Sequence, residues 1–450
     1  MTPLSFYIKT YGCQMNERDS DSAAALLTAN GYLQAQDETD ADIIILNTCS
    51  VRDQAERKAI GKLGIMKRLL EEKPSVIFGI MGCMAQSRGD ELLKKIPHLN
   101  FVIGTDQIHS IPDAVKAVLA DRQTRPDLRE RTGADTPGID MHRTGSGKQN
   151  YNAFISIMRG CDRYCSYCIV PYVRGHERSR NMDGILAEAR ELVGNGAKEI
   201  MLLGQNVAAY GLDRHTPNQP DDLSPFADLL TEMTKIDGLE RIRFTSPHPA
   251  YFNKKLIDTI AREEKICKCI HLPLQSGSDR VLKLMNRPYT VERYKAIISA
   301  LKEQVPGIAF STDVIVGFPT ETDEDFAATR ELMEWVGFDN AFIFKYSPRK
   351  GTKSAEMPDD VPQAVKEERN QILLQDLEVR QCAKNASLVG TEQVLMLEGP
   401  SKRNPARWSG RTDTFKLAVF EPEGEMQPGD LVRVKIVRST PMTLYGERIR

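Results

Sequence analysis

The first 120 residues alternate short apolar runs with stretches of helical periodicity. "LSFYIKTYGC", "ADIIILNTC", "SVIFGIMGC" and "NFVIGT" are rich in β-branched residues, as strands buried on both faces are. Between them, Asn16 to Asn30 (closed by Gly31), about Asp53 to Glu72, and a segment from about Gln86 place apolar residues at helical spacing. This order predicts a doubly wound parallel α/β domain.

Residues 121–150 are rich in Arg, Asp, Thr and Gly without apolar period, and predict a linker. From Tyr151 six strand-like runs follow, separated by helical segments: "NAFISIMRGC", "EIMLLGQN", "RIRFTSPH", "CIHLPLQSG", "AFSTDVIVGF" and "NAFIFKYSP". Six such units predict a parallel (βα)6 barrel, complete or partial, with its active site at the C-terminal ends of the strands. A helix is expected from Pro362 to Asn385. After Ser387, "EQVLMLEGP", "WSGRTD", "FKLAVFE" and "LVRVKIVRST" predict a small antiparallel β-barrel or sandwich. The expected division is therefore 1–120, a linker at 121–150, 151–384 and 385–450.

Composition narrows the class. A chain of 450 residues is too long for one ordinary core, and 41% hydrophobic with 27% charged residues suits a soluble globular protein. No run of 18 apolar residues occurs, and "MTPLSFYIKT" enters a strand pattern without a cleavable apolar core. A cytoplasmic chain with no membrane span is expected. The net charge of -2 excludes a polycation but not a local basic face. From Gln381 to Arg450, eleven Lys/Arg stand against eight Asp/Glu. Nine cysteines in a reducing compartment point to metal binding or catalysis rather than disulfides.

Cys161, Cys165 and Cys168 form C-x3-C-x2-C just after the first barrel strand, hence at the barrel mouth. A structural zinc site needs four ligands, and His176 lies beyond Pro171 and Gly175 in an irregular segment. A [4Fe–4S] cluster on three thiolates keeps one iron open, as catalysis requires. Cys13, Cys49 and Cys83 each follow the C-terminal end of one of the first three strands, where open α/β sheets bind ligands. They form a second set of three. Cys267, Cys269 and Cys382 are expected to be small apolar fillers. "GSGK" at 145–148 follows no strand and is not a phosphate loop.

C-x3-C-x2-C with Tyr167 before its last cysteine resembles the signature of radical S-adenosylmethionine enzymes. The three-cysteine domain, the barrel and the C-terminal β-domain, in that order, resemble the methylthiotransferase family over essentially the whole chain. The motifs "IKTYGCQMNERDS", "NTCSVRDQAE", "LLGQNV", "HLPLQSGSDRVL" and "VIVGFP" carry that resemblance, with a TRAM-like domain at the end. "YGCQMN" and "LLGQNV" favour the tRNA branch over the ribosomal-protein branch.

The resemblance implies two [4Fe–4S] clusters and S-adenosyl-L-methionine. One molecule of that cofactor is cleaved to a 5′-deoxyadenosyl radical at the open iron of the Cys161/Cys165/Cys168 cluster, and another gives a methyl group. The Cys13/Cys49/Cys83 cluster carries the sulfur. The implied reaction is methylthiolation of C2 of N6-dimethylallyladenosine 37 in the anticodon stem-loop of tRNA. That C–H bond is too weakly acidic for a side-chain base and needs a radical. Flavodoxin or ferredoxin is the implied electron donor, and a monomer is expected. Threonylcarbamoyladenosine in tRNA, a ribosomal-protein aspartate, and a non-enzymatic iron–sulfur RNA-binding sensor are the competing readings.

On the same resemblance, Tyr167, Gln205, Gln275, Asp313 and Val316 are expected to contact the cofactor. Arg174 and Arg180, in "PYVRGHERSR" with His176 and Arg178, are expected to bind phosphate or carboxylate at the mouth. Lys402, Arg403, Arg407, Trp408, Arg411, Phe415 and Lys416 interleave charge with aromatics, as an RNA-binding face does.

Overall fold

The computed structural model describes residues 3–50, 53–121, 127–128, 151–214 and 222–449. Most of the expected linker, 122–126 and 129–150, lies outside the described residues.

The N-terminal sheet contains β1 (Ser5–Thr10), β2 (Leu33–Gln34), β3 (Ile43–Thr48), β4 (Ile77–Gly82) and β5 (Phe101–Ile103), all parallel, in the order β2-β1-β3-β4-β5. Helices α1 (Gln14–Ala29) and α4 (Ile111–Asp121) cover one face, and α2 (Asp53–Glu72) and α3 (Cys83–Lys95) the other. Ile43 and Ile45 enter the first core with Phe6, Leu27 and Val115, while Ile44 and Leu46 enter the second with Leu63, Phe78 and Leu92. Side chains alternate across a strand. A strand with helices on both sides must therefore be apolar throughout, which explains the unbroken "IIIL". The edge strand β2 and helix α4 go beyond the elements expected from sequence.

The central domain begins with β6 (Asn152–Ser156), the short β7 (Met158–Arg159), α5 (Val170–Arg174), β8 (Arg178–Ser179) and α6 (Met182–Gly194). Then come β9 (Glu199–Leu203), α7 (Pro225–Thr234), β10 (Arg241–Phe244), α8 (Lys254–Arg262) and β11 (Cys269–His271). It ends with α9 (Asp279–Leu284), α10 (Val291–Gln304), β12 (Ala309–Val316), α11 (Asp323–Val336) and β13 (Asn340–Lys345). Strands β6, β9 and β10 pair in parallel, as do β11, β12 and β13. A parallel bridge from Ile242 to Ile266 joins the two halves. Among the described residues β6 and β13 do not pair, so this is the partial six-stranded barrel, open along one side.

After α12 (Gln363–Ala386), the strands β14 (Glu392–Pro400), β15 (Trp408–Arg411), β16 (Leu417–Phe420), β17 (Leu431–Ser439) and β18 (Leu444–Arg448) close as β14-β15-β16-β18-β17. Four pairings are antiparallel, and β16–β18 is parallel. Strand β18, "LYGER", is too polar to have been expected. Among the described residues no helix is long and apolar enough to cross a membrane.

The small barrel seals the foot of the large one. Arg243 is 5% exposed; its Nε lies 2.8 Å from Glu199, and its two terminal nitrogens donate to the carbonyls of Asp413 and Thr412 at 2.8 Å each. Arg241 donates to the carbonyls of Arg411 and Val394 at 2.7 and 3.0 Å. Lys416 Nζ bridges Asp339 and Asn385 at 2.9 and 3.0 Å. Arg241, Glu199 and Asp339 lie at the N-terminal ends of barrel strands, Arg243 lies two residues along β10, and Asn385 is on α12. Arg243→Ala strands the Glu199 carboxylate and two carbonyl acceptors, so a loss of about 3–5 kcal/mol in unfolding free energy is expected. Limited proteolysis should then release the C-terminal β-domain first; an unchanged cleavage pattern would show that the seam does not hold it.

Candidate active site

The C-x3-C-x2-C loop leaves β7 through Gly160, whose φ is +81°. A Cβ there would fall 1.9 Å from the His176 carbonyl oxygen, so the close approach demands glycine. The Gly160 amide donates to Gln205 Oε1 at 2.6 Å, and the Cys161 amide to the Gly175 carbonyl at 3.0 Å. The Ser166 amide and hydroxyl donate to the carbonyls of Met285 and Leu284 at the end of α9. Asn286 Nδ2 donates to the Tyr164 carbonyl at 3.0 Å. Tyr164 itself is left-handed, with φ of 43°. Cys165 is buried, and Cys161 and Cys168 are half-buried. Burial pushes the Cys161 and Cys168 thiols up to about 12. Arg287, 9% exposed, brings Nη1 to 3.5 Å from Cys165 Sγ.

The second set is built by the feet of three helices. Cys13 caps α1, with its Sγ 3.4 Å from Asn16 Oδ1. Asn16 Nδ2 donates to Asn47 Oδ1 at 2.8 Å, and Asn47 Nδ2 donates to the Asn16 carbonyl at 2.7 Å. This buried pair ties Cys13 to the end of β3, two residues before Cys49. Gly82, with φ of +96°, would place a Cβ 2.5 Å from the Thr48 carbonyl oxygen, so the ends of β3 and β4 touch. That puts Cys83, the first residue of α3, beside Cys49. Burial pushes the Cys83 thiol up to about 12, with Cys49 and Cys13 adding to the rise and Arg174 opposing it. Among the described residues no three His, Cys, Asp or Glu converge on one metal ion.

The two sets share a wall. Cys83 packs in one cluster with Ile169 and Val173, on the turn following Cys168. Thr105 Oγ1 donates to the Val173 carbonyl at 2.7 Å, and Arg178 holds Asp106 at 2.8 and 2.9 Å.

Arg174 and Arg180, expected at the cofactor, lie in this wall instead. Arg174 Nη2 is 3.0 Å from Asp19, and Arg180 pairs with Glu188 at 2.6 Å while donating to the Ser156 carbonyl. The phase of the short helix α5 turns Arg174 towards the N-terminal domain. His176 Nδ1 lies 2.7 Å from Asp162, exposed.

The remaining expected cofactor contacts lie near the barrel mouth. Gln205 supports Gly160, as described. Gln275, with φ of 68°, bridges to Val314, and Val316 is buried at the end of β12. Asp313 lies 3.3 Å from His271. Tyr167 packs on Val281 and Phe318.

Of the seven residues expected on an RNA face, Lys402 and Arg403 are exposed on the turn after β14, and Arg407 pairs with Glu421 at 3.3 Å. Trp408 packs half-buried on the small barrel's core. Arg411, Phe415 and Lys416 sit in the seam with the large barrel, where the Phe415 ring lies 4.9 Å from the Arg243 guanidinium and 4.5 Å from that of Arg411. Lys416 ties the domains together through Asp339 and Asn385, whereas Phe415 stays 43% exposed beside the seam. Cys267 is buried and Cys269 half-buried, but Cys382 is exposed on α12 and fills no core.

Sequence reasoning gave no expectation for Arg287, Asp19 or the Asn16–Asn47 pair, whose partners are distant in the chain. On the barrel's inner face, Phe342 and Phe344 of β13 are 44% and 39% exposed, since their neighbours Ala341 and Ile343 take the helix side. Strict alternation along "NAFIFK" was the signal available for them. At the foot of the lumen, a cavity of about 140 Å³ lies among Gln14, Phe154, Met201, Met396, Arg411 and Phe415.

Residues 5–104 match the Uncharacterized protein family UPF0004, residues 155–333 the Radical SAM superfamily, and residues 386–449 the TRAM domain. The tRNA-2-methylthio-N(6)-dimethylallyladenosine synthase of Opitutus terrae is 44% identical over 98% of this chain and 96% of its own. The protein of that name from Moorella thermoacetica is 42% identical over 99% of this chain and 98% of its own. Among solved structures, the radical S-adenosylmethionine methyltransferase TsrM of Kitasatospora setae, with tryptophan and aza-SAM bound, superposes with a TM-score of 0.54 at 13% identity. That match covers 76% of this chain and 72% of the other, and it speaks for the fold alone.

Fold and site together define a radical S-adenosylmethionine enzyme carrying a second three-cysteine domain. The chain belongs to the family of tRNA-2-methylthio-N(6)-dimethylallyladenosine synthases. Such enzymes use [4Fe–4S] clusters and S-adenosylmethionine.

The donor sets fit such clusters. Thiols pushed this high surrender their protons to a strong Lewis acid such as iron, not to water. Arg287 reaches Cys165, and Arg174 Nη1 is buried beside the other set with no hydrogen-bond partner. Buried cations of this kind match an anionic, thiolate-bound group.

Gly160→Ala adds strain of about 1–3 kcal/mol at the entry to the loop. In the metal-free protein, Cys165 should then react with a thiol reagent roughly tenfold faster or more. An unchanged rate would show that the loop tolerates a side chain there.

Proposed function

We propose that this protein converts N6-dimethylallyladenosine 37 of tRNA to its 2-methylthio derivative. The observation that supports this reading is the contact between the two three-cysteine segments, where Cys83 packs on Ile169 and Val173 just after Cys168. Cys161, Cys165 and Cys168 hold one [4Fe–4S] cluster, and Cys13, Cys49 and Cys83 hold the other. With S-adenosylmethionine bound, these groups supply homolytic C–H cleavage, a methyl group and sulfur.

The protein's own part is to orient and to exclude. Gln205 and Gly160 fix the approach of the first loop, and Arg287 places a positive charge against Cys165. Tyr167, Gln275 and Asp313 stand on the cofactor's side of the mouth, with Val316 offering backbone groups there. The base leaves its stack to enter the open side of the barrel, where water is displaced from apolar walls. The half-exposed Phe342 and Phe344 on β13 suit a dimethylallyl group better than a polar threonylcarbamoyl group. Lys402 and Arg403 meet the RNA backbone. A flavodoxin or ferredoxin supplies electrons, and the enzyme works as a cytoplasmic monomer.

Two measurements test this. Reconstituted protein should hold about eight irons, falling to about four when Cys13, Cys49 and Cys83 are replaced by Ala; wild-type protein with one zinc and no iron would refute the cluster assignment. Digested tRNA from a strain lacking the gene, read by mass spectrometry, should show prenylated adenosine without its 2-methylthio group. Persistence of that group would move the substrate to a competing reading.

A further inference from the structure

The buried wall between the two sites contains one carboxylate shared by two guanidiniums. Asp19, fully buried, lies 2.9 Å from Arg159 and 3.0 Å from Arg174, themselves 7% and 5% exposed. One carboxylate cannot neutralise both cations, and uncompensated charge in a low-dielectric interior is unfavourable. Asp19 takes Nη2 of Arg174, whereas Nη1 is buried without a hydrogen-bond partner.

The placement of that nitrogen follows from the chain. Arg174 ends α5, six residues beyond Cys168, and Gly175 with φ of +69° terminates the helix there. On the same short helix and the turn before it, Val173 and Ile169 pack directly on Cys83. Thr105 grips the Val173 carbonyl from the N-terminal domain. The segment that carries Cys161, Cys165 and Cys168 thus delivers a guanidinium to the other thiol set.

We infer that Arg174 is a positioning residue for the centre on Cys13, Cys49 and Cys83: its free Nη1 donates to that centre and its charge raises the centre's reduction potential. This rests on the reading that these three cysteines hold a cluster. The excess cation in the wall then has its counter-charge in the thiolate-bound group, and the mutual attraction favours the reduced, more negative form. Arg159 shares Asp19 and keeps that carboxylate from cancelling Arg174.

The test uses full-length protein reconstituted with both clusters, as wild type, Arg174→Gln and Arg174→Lys. Redox titration followed by electron paramagnetic resonance, with S-adenosylmethionine added to set the other cluster's signal apart, reads the potential. In Arg174→Gln the ratio of reduced to oxidised cluster at a fixed poise should fall about tenfold, a shift of about 59 mV for one electron. Arg174→Lys should recover most of it. Equal potentials in all three proteins, or the same shift in both variants, would overturn the inference. Loss of this cluster in Arg174→Gln with retention in Arg174→Lys would support it, and loss in both would overturn it as a packing effect. Wild-type protein lacking iron at Cys13, Cys49 and Cys83 would instead refute the underlying cluster assignment.

Discussion

The chemistry depends on one buried contact: the turn after Cys168 resting on Cys83, clamped by Asp19 and its two arginines. A radical formed at one centre is useful only if the sulfur held by the other lies within reach of the same carbon. The two cysteine sets belong to different sheets, separated in sequence by a long polar segment. What holds them in register is therefore tertiary: Ile169 and Val173 against Cys83, Thr105 on the Val173 carbonyl, and Arg178 on Asp106. Loosening this wall would leave each site intact and still separate the two halves of the reaction.

The electrostatics of both sites share one logic. Burial raises the Cys83, Cys161 and Cys168 thiols, so without a metal these are neutral and tolerated in the interior. Once thiolates are bound to iron, the cations already present acquire a counter-charge. Arg287 plays this part for Cys165, and the wall of Arg159 and Arg174 for the N-terminal set.

Much of this was legible in the chain. Continuous "IIIL" and "VIFGIM" required a sheet covered on both faces, and the cysteines after each strand had to meet at one edge. Six βα units allowed only a small number of closures. What could not be read was the direction of individual arginines. Arg174 and Arg180 stand in a motif at the barrel mouth, yet a five-residue helix is too short to show an apolar phase, so nothing local says that Arg174 faces another domain. Lys416 and Phe415 look like an RNA face because a strand of charges and aromatics reads the same whether it meets solvent, RNA or a neighbouring domain. Strand β18 escaped notice because a barrel's closing strand can be polar when its partners supply the core. Cys382 was read by residue type alone, and its helix face decided otherwise.

The seal at the foot of the large barrel makes its lumen a blind alley. With Arg241, Arg243 and Lys416 tying the small barrel to the floor, whatever enters the lumen comes and goes at the mouth or along the open side between β6 and β13. An adenosine filling that entrance is also a stopper, shielding reactive species from solvent while it is seated. Closure of this vessel is therefore set by what sits at its rim, not by its floor.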